Sequence, residues 1–235
     1  MDQFLYRIDN EDILVYRSIF APVKSNMFVI LSGKEAVVFD PNENDELLSL
    51  LKDNDIQKVH ILLTHEHYDH TSGVNWLQGN TGADIYCQSD CARVIATERG
   101  NNPALIALVL ASEDKQDGGR RYLDFKASFK PYTIKADKTF EKEDSFNIGV
   151  LSFKVTSTPG HCPGSACYIL NNQIVFTGDT LLQNDPVVIR FAESRKNVYE
   201  KISLPYLQSL KKTMIVMPGH GNPFVLRDAK YIYNV

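Results

Sequence analysis

The sequence predicts an α/β fold in which two β-sheets pack face to face and helices cover their outer surfaces. Three observations carry that prediction. Apolar runs rich in β-branched and aromatic residues alternate with segments whose leucines recur at helical spacing. The two halves of the chain repeat one pattern. Histidines and aspartates gather where the predicted strands end.

The elements follow in order. "FLYRI", "ILVYR", "MFVIL" and "AVVFD" read as strands, separated by turn signals at Asp9-Asn10, Ala21-Pro22 and Ser32-Gly33. "NENDELLSLLKDN" reads as a helix with acids at its start, where the helix dipole favours them. "VHILLT" is a continuous apolar strand of the kind buried on both faces. A helix opens in "HTSGVNWLQ", "ADIYC" is a short strand, and "SDCARVIATERG" is helical. The pattern then weakens into an irregular segment at about 101–131, with a short helix at "PALIALVLAS" and an exposed loop at "EDKQDGGRRYLDF". Strands return at "GVLSFKVTST", "ACYIL" and "QIVFTG". "SRKNVYEKISLPYLQSLKK" reads as a helix that Pro205 kinks or splits. "TMIVMPGHG" is a last apolar strand running into a Gly-rich turn.

The repeat sets residues 28–40, "FVILSGKEAVVFD", against residues 168–179, "YILNNQIVFTGD". Each is a strand, a turn and a strand ending in Asp. Each leads through a Leu-bearing helix to an apolar strand that ends in a histidine-containing turn. The matching Asp and His positions favour a duplication over the chance likeness of alternating β and α elements. A repeat this long is not a short-period solenoid. One domain over residues 1–235 is expected, with halves at about 1–100 and 140–235 and the irregular segment covering a pocket. Strand ends from both halves then converge on one edge.

The bulk numbers narrow the classes. At 235 residues the chain buries a real core without disulfides. With 43% hydrophobic and 23% charged residues it reads as globular. It carries 25 basic and 29 acidic residues, so nothing resembles a polybasic surface for nucleic acid or membrane. No apolar run reaches the length of a membrane span. The N-terminal "MDQFLYRIDNEDIL" has neither the basic n-region nor the apolar h-region of a signal peptide, so a cytoplasmic location is expected. Cys87, Cys91, Cys162 and Cys167 are expected as free thiols.

Five of the six histidines fall at strand-end turns: His65, His67, His70, His161 and His220. Asp69 and Asp179 share those turns, which read "THEHYDH", "TPGHCPGS", "FTGDTLL" and "MPGHG". Imidazole with carboxylate is a ligand set for zinc, and also for iron or manganese. His65 and His67 lie two apart, so in extended chain they face one side. Seven ligands are too many for one tetrahedral metal, whereas two ions sharing a carboxylate use them all. His60 stands outside every motif and is expected to be structural. Glu66 alternates with two ligands and should face away from them, toward the surface or a supporting role. Cys162 likewise points away from its neighbour His161. The basic residues Arg120, Arg121, Lys126 and Lys130, with Tyr132, are expected on a solvated surface.

The order of "THEHYDH", "TPGH", "GDTLL" and "PGHG" resembles the metallo-β-lactamase-fold hydrolase superfamily, from about Phe28 to Gly221. The resemblance implies an αββα sandwich. It implies one metal held by His65, His67 and His161, a second held by Asp69, His70 and His220, and Asp179 bridging the two. It also implies that Asp69 orients a nucleophilic hydroxide. Asp40, the counterpart of Asp179 in the repeat, fits either strand capping or support of a metal ligand. "GDTLL" and "PGHG" are most similar to the glyoxalase II-like branch, whose members hydrolyse thioesters. Two departures separate the chain from glyoxalase II itself. Fourteen residues follow Gly221, where those enzymes carry a helical domain, and "LLQNDPVVIRFAESR" lacks their Gly-Arg pair.

The expectation is a dinuclear hydrolase, zinc foremost, acting on a thioester or other small carbonyl ester, with a small-molecule substrate and no nucleic-acid partner. A mononuclear iron persulfide dioxygenase, a lactonase or a phosphodiesterase of the same fold are the enzymatic alternatives. Leu182 stands where quorum-quenching lactonases usually have Tyr. A metal-stabilised accessory or regulatory protein is the non-enzymatic one.

Overall fold

The structure, a computed structural model, describes residues 1–8, 11–98, 100–101 and 103–232. The Asp9-Asn10 turn signal and Arg99 of the helical run lie outside the described residues. The strands of the first sheet are β1 (Asp2–Ile8), β2 (Glu11–Phe20), β3 (Ser25–Ser32), β4 (Glu35–Phe39), β5 (Lys58–Leu62), β6 (Asp84–Gln88) and β7 (Lys138–Phe140). They stand side by side in chain order. The second sheet holds β8 (Glu143–Ile148), β9 (Leu151–Ser157), β10 (Ala166–Leu170), β11 (Ile174–Gly178), β12 (Ile215–Pro218) and β13 (Phe224–Val225), again in order. Both sheets are mixed. In the first, β3 and β4 form an antiparallel hairpin and β5 joins β4 in parallel. In the second, β10 and β11 form the hairpin and β12 joins β11 in parallel.

Alternation along the strands builds three apolar layers. In β4, Val37 and Phe39 face the space between the sheets, while Ala36 and Val38 face outward. In β10, Tyr168 and Leu170 face inward and Cys167 and Ile169 outward. The inner layer is aromatic at its centre. Phe39 stacks on Phe176 across the sheets with ring centroids 3.8 Å apart and meets the edge of Tyr168 at 5.4 Å. Helices close the outer faces. On the first sheet these include α1 (Asp45–Asp53), capped by Asn44 and burying Leu47 and Leu51. The short α2 (Tyr68–Thr71) follows β5, and α3 (Val74–Thr81) and α4 (Ser89–Ile95) complete that layer. The layer order is αββα. Among the described residues, no helix is long and apolar enough to cross a membrane.

Three expectations change. The segment at about 101–131 is not irregular, and "EDKQDGGRRYLDF" is not a loop. It forms α5 (Ala104–Asp117) and α6 (Arg121–Ser128). The Gly118-Gly119 pair is a tight corner between them, with Gly118 at φ 74°. The Asp114 carboxylate accepts from the backbone N–H of Arg121 and of Tyr122, capping α6 from a distance in sequence that propensity cannot read. Edge strands β7 and β8 were not expected, because β8 carries the acids and exposed polar residues of "EDSFNI". The last predicted helix is continuous through a π-turn. It runs as α7 (Lys196–Val198), a π-helical turn (Tyr199–Ser203) and α8 (Leu204–Ser209). The turn absorbs Pro205, whose missing N–H and ring would disturb a regular α-helix there.

Phe39→Ala would remove the centre of the inter-sheet layer, where Phe39 is 1% exposed. The expected loss is about 3–5 kcal/mol of unfolding free energy, read from the urea midpoint at unchanged slope.

Candidate metal centre

The seven residues named from the sequence come together at one edge of the sandwich. The chain leaves β5 through Leu63 and Thr64 in extended form, delivering His65 and then His67. His67 is the cap residue of α2 (φ −66°, ψ 148°), and Asp69 and His70 follow within its single turn. His161 comes from the turn between β9 and β10, Asp179 directly follows β11, and His220 follows β12. Gly219 must be glycine, because a Cβ there would strike the Asp179 carboxylate and the His70 ring. The start of β3 ties the turns together. Ser25 Oγ donates to Asp69 O at 2.9 Å, and Asn26 Nδ2 donates to Pro218 O and Gly221 O at 2.9 and 2.8 Å.

Two ligand-like groups form. His65, His67 and His161 make one, and Asp69, His70 and His220 make the other. His161 Nε2 lies 2.9 Å from His67 Nδ1. Asp69 Oδ2 lies 3.3 Å from the Nε2 atoms of both His70 and His220. Asp179 reaches both groups, with Oδ2 at 3.6 Å from His161 Nε2 and 3.4 Å from His220 Nε2. A third grouping, Asp40 with His65 and His70, is geometrically possible. Asp40, however, spends its oxygens on Thr64 and on the outer nitrogen of His70. Oδ1 accepts from Thr64 N at 2.7 Å, and Oδ2 accepts from Thr64 Oγ1 at 2.6 Å and from His70 Nδ1 at 2.9 Å.

Those partners decide which ring nitrogen carries a proton. Thr64 Oγ1 gives its hydrogen to Asp40, so at 3.0 Å it can only accept from His65 Nδ1. His161 Nδ1 donates to the Val188 carbonyl at 2.8 Å. His67 Nε2 faces the Glu193 carboxylate at 3.2 Å, and that hydrogen bond holds the Glu193 carboxyl below the usual carboxylate range. The ring nitrogens not used by these outer partners are His65 Nε2, His67 Nδ1 and His161 Nε2, the atoms that converge. Burial, helped by the neighbouring histidines, pushes His65 well below its usual pKa, and burial takes His161 down to about 4. Converging lone pairs on neutral rings repel unless a cation lies among them.

The second group behaves oppositely. Burial works against a charge on His220, yet Asp179 and Asp69 push its pKa up to about 10. His70 is raised well above the ordinary value because Asp69, Asp179 and Asp40 outweigh its burial. Asp69 and Asp179 are in turn held well below the carboxylate range by these histidines despite burial. Here protons balance the carboxylates that would otherwise face a cation. Of the seven buried side-chain polar atoms without a hydrogen-bond partner among the described residues, three belong to this cluster: His65 Nε2, His70 Nε2 and Asp179 Oδ1. Unpaired, each costs about 1–3 kcal/mol. Imidazole nitrogens and carboxylate oxygens in this arrangement fit divalent metal ions.

Comparison with known proteins agrees with that chemistry. The family model described as the metallo-beta-lactamase superfamily matches residues 21–220. The chain belongs to that superfamily. It is 24% identical over 207 residues to the "probable metallo-hydrolase YqgX" of Bacillus subtilis (strain 168), across 85% of this chain and 86% of that one. It is 30% identical over 141 residues to "glyoxylase B2" of Dictyostelium discoideum, across 60% of this chain and 41% of that one. The solved BLEG-1 B3 metallo-beta-lactamase superposes with a TM-score of 0.71 at 25% identity, over 94% of this chain and 100% of that one. The two mixed sheets and their outer helices are the metallo-beta-lactamase fold.

Residues outside the seven fall as follows. His60 pairs with Glu35 at 2.7 Å, away from the cluster. Glu66 faces away from the ligand side, as its parity requires, but it is buried rather than at the surface. It accepts from Cys162 Sγ at 3.0 Å and from Gly164 N at 3.2 Å, which pins the turn carrying His161. All four cysteines are free and buried. Arg121 pairs with Asp114 and Asp117 at the surface. Tyr132 is half-buried instead, with its hydroxyl 3.1 Å from Thr71 Oγ1. Sequence reasoning missed Thr64 and Glu193. Thr64 sits beside His65 and could have been suspected from position, whereas Glu193 carries no local signal.

Asp40→Asn keeps the shape but weakens the acceptor that orients His70 and, through Thr64, His65. Divalent metal affinity should fall about 10–100-fold, measured by competition with a chromophoric chelator.

Proposed function

We propose that this chain is a dinuclear metal-dependent hydrolase acting on a thioester or another small carbonyl ester, with zinc the foremost metal and iron or manganese compatible. The carrying observation is the single carboxylate of Asp179 standing within hydrogen-bonding range or just beyond it of histidines from both groups. His65, His67 and His161 would hold one ion, Asp69, His70 and His220 the other, and Asp179 both. When bound, such ions supply a hydroxide nucleophile at neutral pH and polarise the substrate carbonyl.

The chain's own groups do the rest. Asp69 stays ionised, and its Oδ2, 3.3 Å from the Nε2 atoms of His70 and His220, would orient the hydroxide by accepting its hydrogen bond. Ser25 and the α2 turn fix its backbone. Phe191 lays its ring edge-on against His67 and His161, at 4.8 and 5.3 Å between centroids, and excludes water from that side. No cysteine competes as nucleophile. Burial raises the Cys162 thiol well above its usual pKa, and its Sγ is tied to Glu66. Support for the ester or thioester class comes from the kinship with a protein named glyoxylase and from the "GDTLL" and "PGHG" turns. The acid-rich composition speaks for a small-molecule substrate over a nucleic acid.

Metal analysis of the purified chain should find about two ions per chain. A panel of thioesters, lactones, phosphodiesters and β-lactams should show thioesters or simple esters turned over fastest. Hydrolysis of none of them by the fully metallated chain would overturn the reading. Asp69→Asn should lower kcat by about 10²-fold, with metal content measured alongside so that loss of the ion is told apart from loss of hydroxide orientation.

A further inference from the structure

The stretch from Gln183 to Arg195, between Asp179 and α7, has no regular secondary structure. It is nevertheless fastened: Gln183 O accepts from Lys230 N at 2.9 Å, Val187 and Ile189 pack on the outer apolar layer, and the fastenings from Val188 to Arg195 that follow are on or beside the three-histidine group. Val188 O accepts from His161 Nδ1 at 2.8 Å. Ser194 Oγ donates to His161 O at 2.6 Å, and Arg195 N donates to Gly160 O at 2.9 Å. Phe191 packs edge-on to both His67 and His161. Glu193 Oε1 takes the remaining nitrogen of His67 at 3.2 Å.

The other histidines are held differently. His65 and His70 are oriented from inside the fold by Thr64 and Asp40, both about 3% exposed. The Glu193 side chain is 39% exposed and rides on the strap. A carboxylate so placed would add little as a surface ion pair. Its geometry does something else. It accepts only, so it keeps the hydrogen of His67 on Nε2 and presents the Nδ1 lone pair toward His161 Nε2.

We propose that Glu193 is a positioning residue for His67, and that the 188–195 strap thereby sets metal affinity at the His65, His67 and His161 group alone. This rests on the metal-site reading above. It makes the two groups unequal, since the strap holds two members of one, His67 and His161, and no histidine of the other, while His65 and His70 are held from the interior.

Stepwise Co(II) titration of the metal-free full chain, followed by its visible absorption bands, tests this. Wild type should bind two ions. Glu193→Ala should weaken one binding step by about 10–100-fold and leave the other unchanged, with melting temperature of the metal-free chain preserved. Glu193→Gln retains an accepting oxygen and should stay within a few-fold of wild type. Glu200→Ala, which removes a surface partner of Lys196, should change neither step. Wild-type affinities in Glu193→Ala would overturn the inference and leave the metal site standing. Equal weakening of both steps would overturn its restriction to one group, and a Gln variant as weak as Ala would overturn positioning by hydrogen bond. A wild-type chain that binds no Co(II) would overturn inference and metal site together.

Discussion

The carboxylate of Asp40 is where the fold and the candidate site are joined. It is 3% exposed, and a buried charge is costly unless donors surround it. Three donors do so: Thr64 N, Thr64 Oγ1 and His70 Nδ1. One carboxylate at the end of β4 therefore fixes the exit of its parallel neighbour β5 and the orientation of α2. Asp40 itself adopts φ 49°, a left-handed conformation that a non-glycine residue holds only when its surroundings compel it. The compulsion is visible in its bonds. Its backbone N–H donates to Leu62 O while its side chain turns back over Thr64.

From that point the site's electrostatics follow. The outer partners each consume one ring nitrogen, and the inner nitrogens are left to meet each other. In the three-histidine group burial disfavours the charged form of His65 and His161, so their lone pairs converge. In the other group carboxylates hold protons on His70 and His220. One group resists positive charge on two of its rings and the other carries it as protons. A divalent cation satisfies both conditions, which is why the same edge of one fold can present two such different clusters a few ångströms apart.

The parts legible in the sequence are those governed by local rules or by restrictive chemistry. Strand parity alone assigns Val37 and Phe39 to one layer and Ala36 and Val38 to another. The ligand-like residues are legible because few residue types suit a metal and because they gather in turns that follow strands, with glycine beside His161, Asp179 and His220. What is not legible depends on contacts distant in sequence. The α5–α6 corner reads as a loop because Gly118-Gly119 is a breaker signal, and only the Asp114 side chain reveals it as a helix junction. Glu193 is one of 29 acids in an aperiodic stretch. Its meaning appears only once the strap has docked 126 residues away from His67. Glu66 is an intermediate case, since its direction is legible and its burial is not.

The two hairpin–helix–strand units explain why the cluster forms at an edge rather than inside the core. Each unit places a parallel strand beside its hairpin, so β5 and β12 deliver their carboxyl ends to the same side of the sandwich. Backbone leaving a strand must find new hydrogen-bond partners. At this edge the partners come from the opposite sheet. Asn26 N, at the start of β3, donates to Gly219 O beyond β12, and Ala166 N donates to Thr64 O beyond β5. The sheets are thus stitched across the gap beside the residues that would hold the ions. An edge stitched in this way can keep five imidazoles and two carboxylates in register beneath the 188–195 strap and the Phe125 and Phe129 rings packed on Tyr68. The stitched edge thus sets where the seven side chains stand, and the strap and the aromatic rings are laid over it.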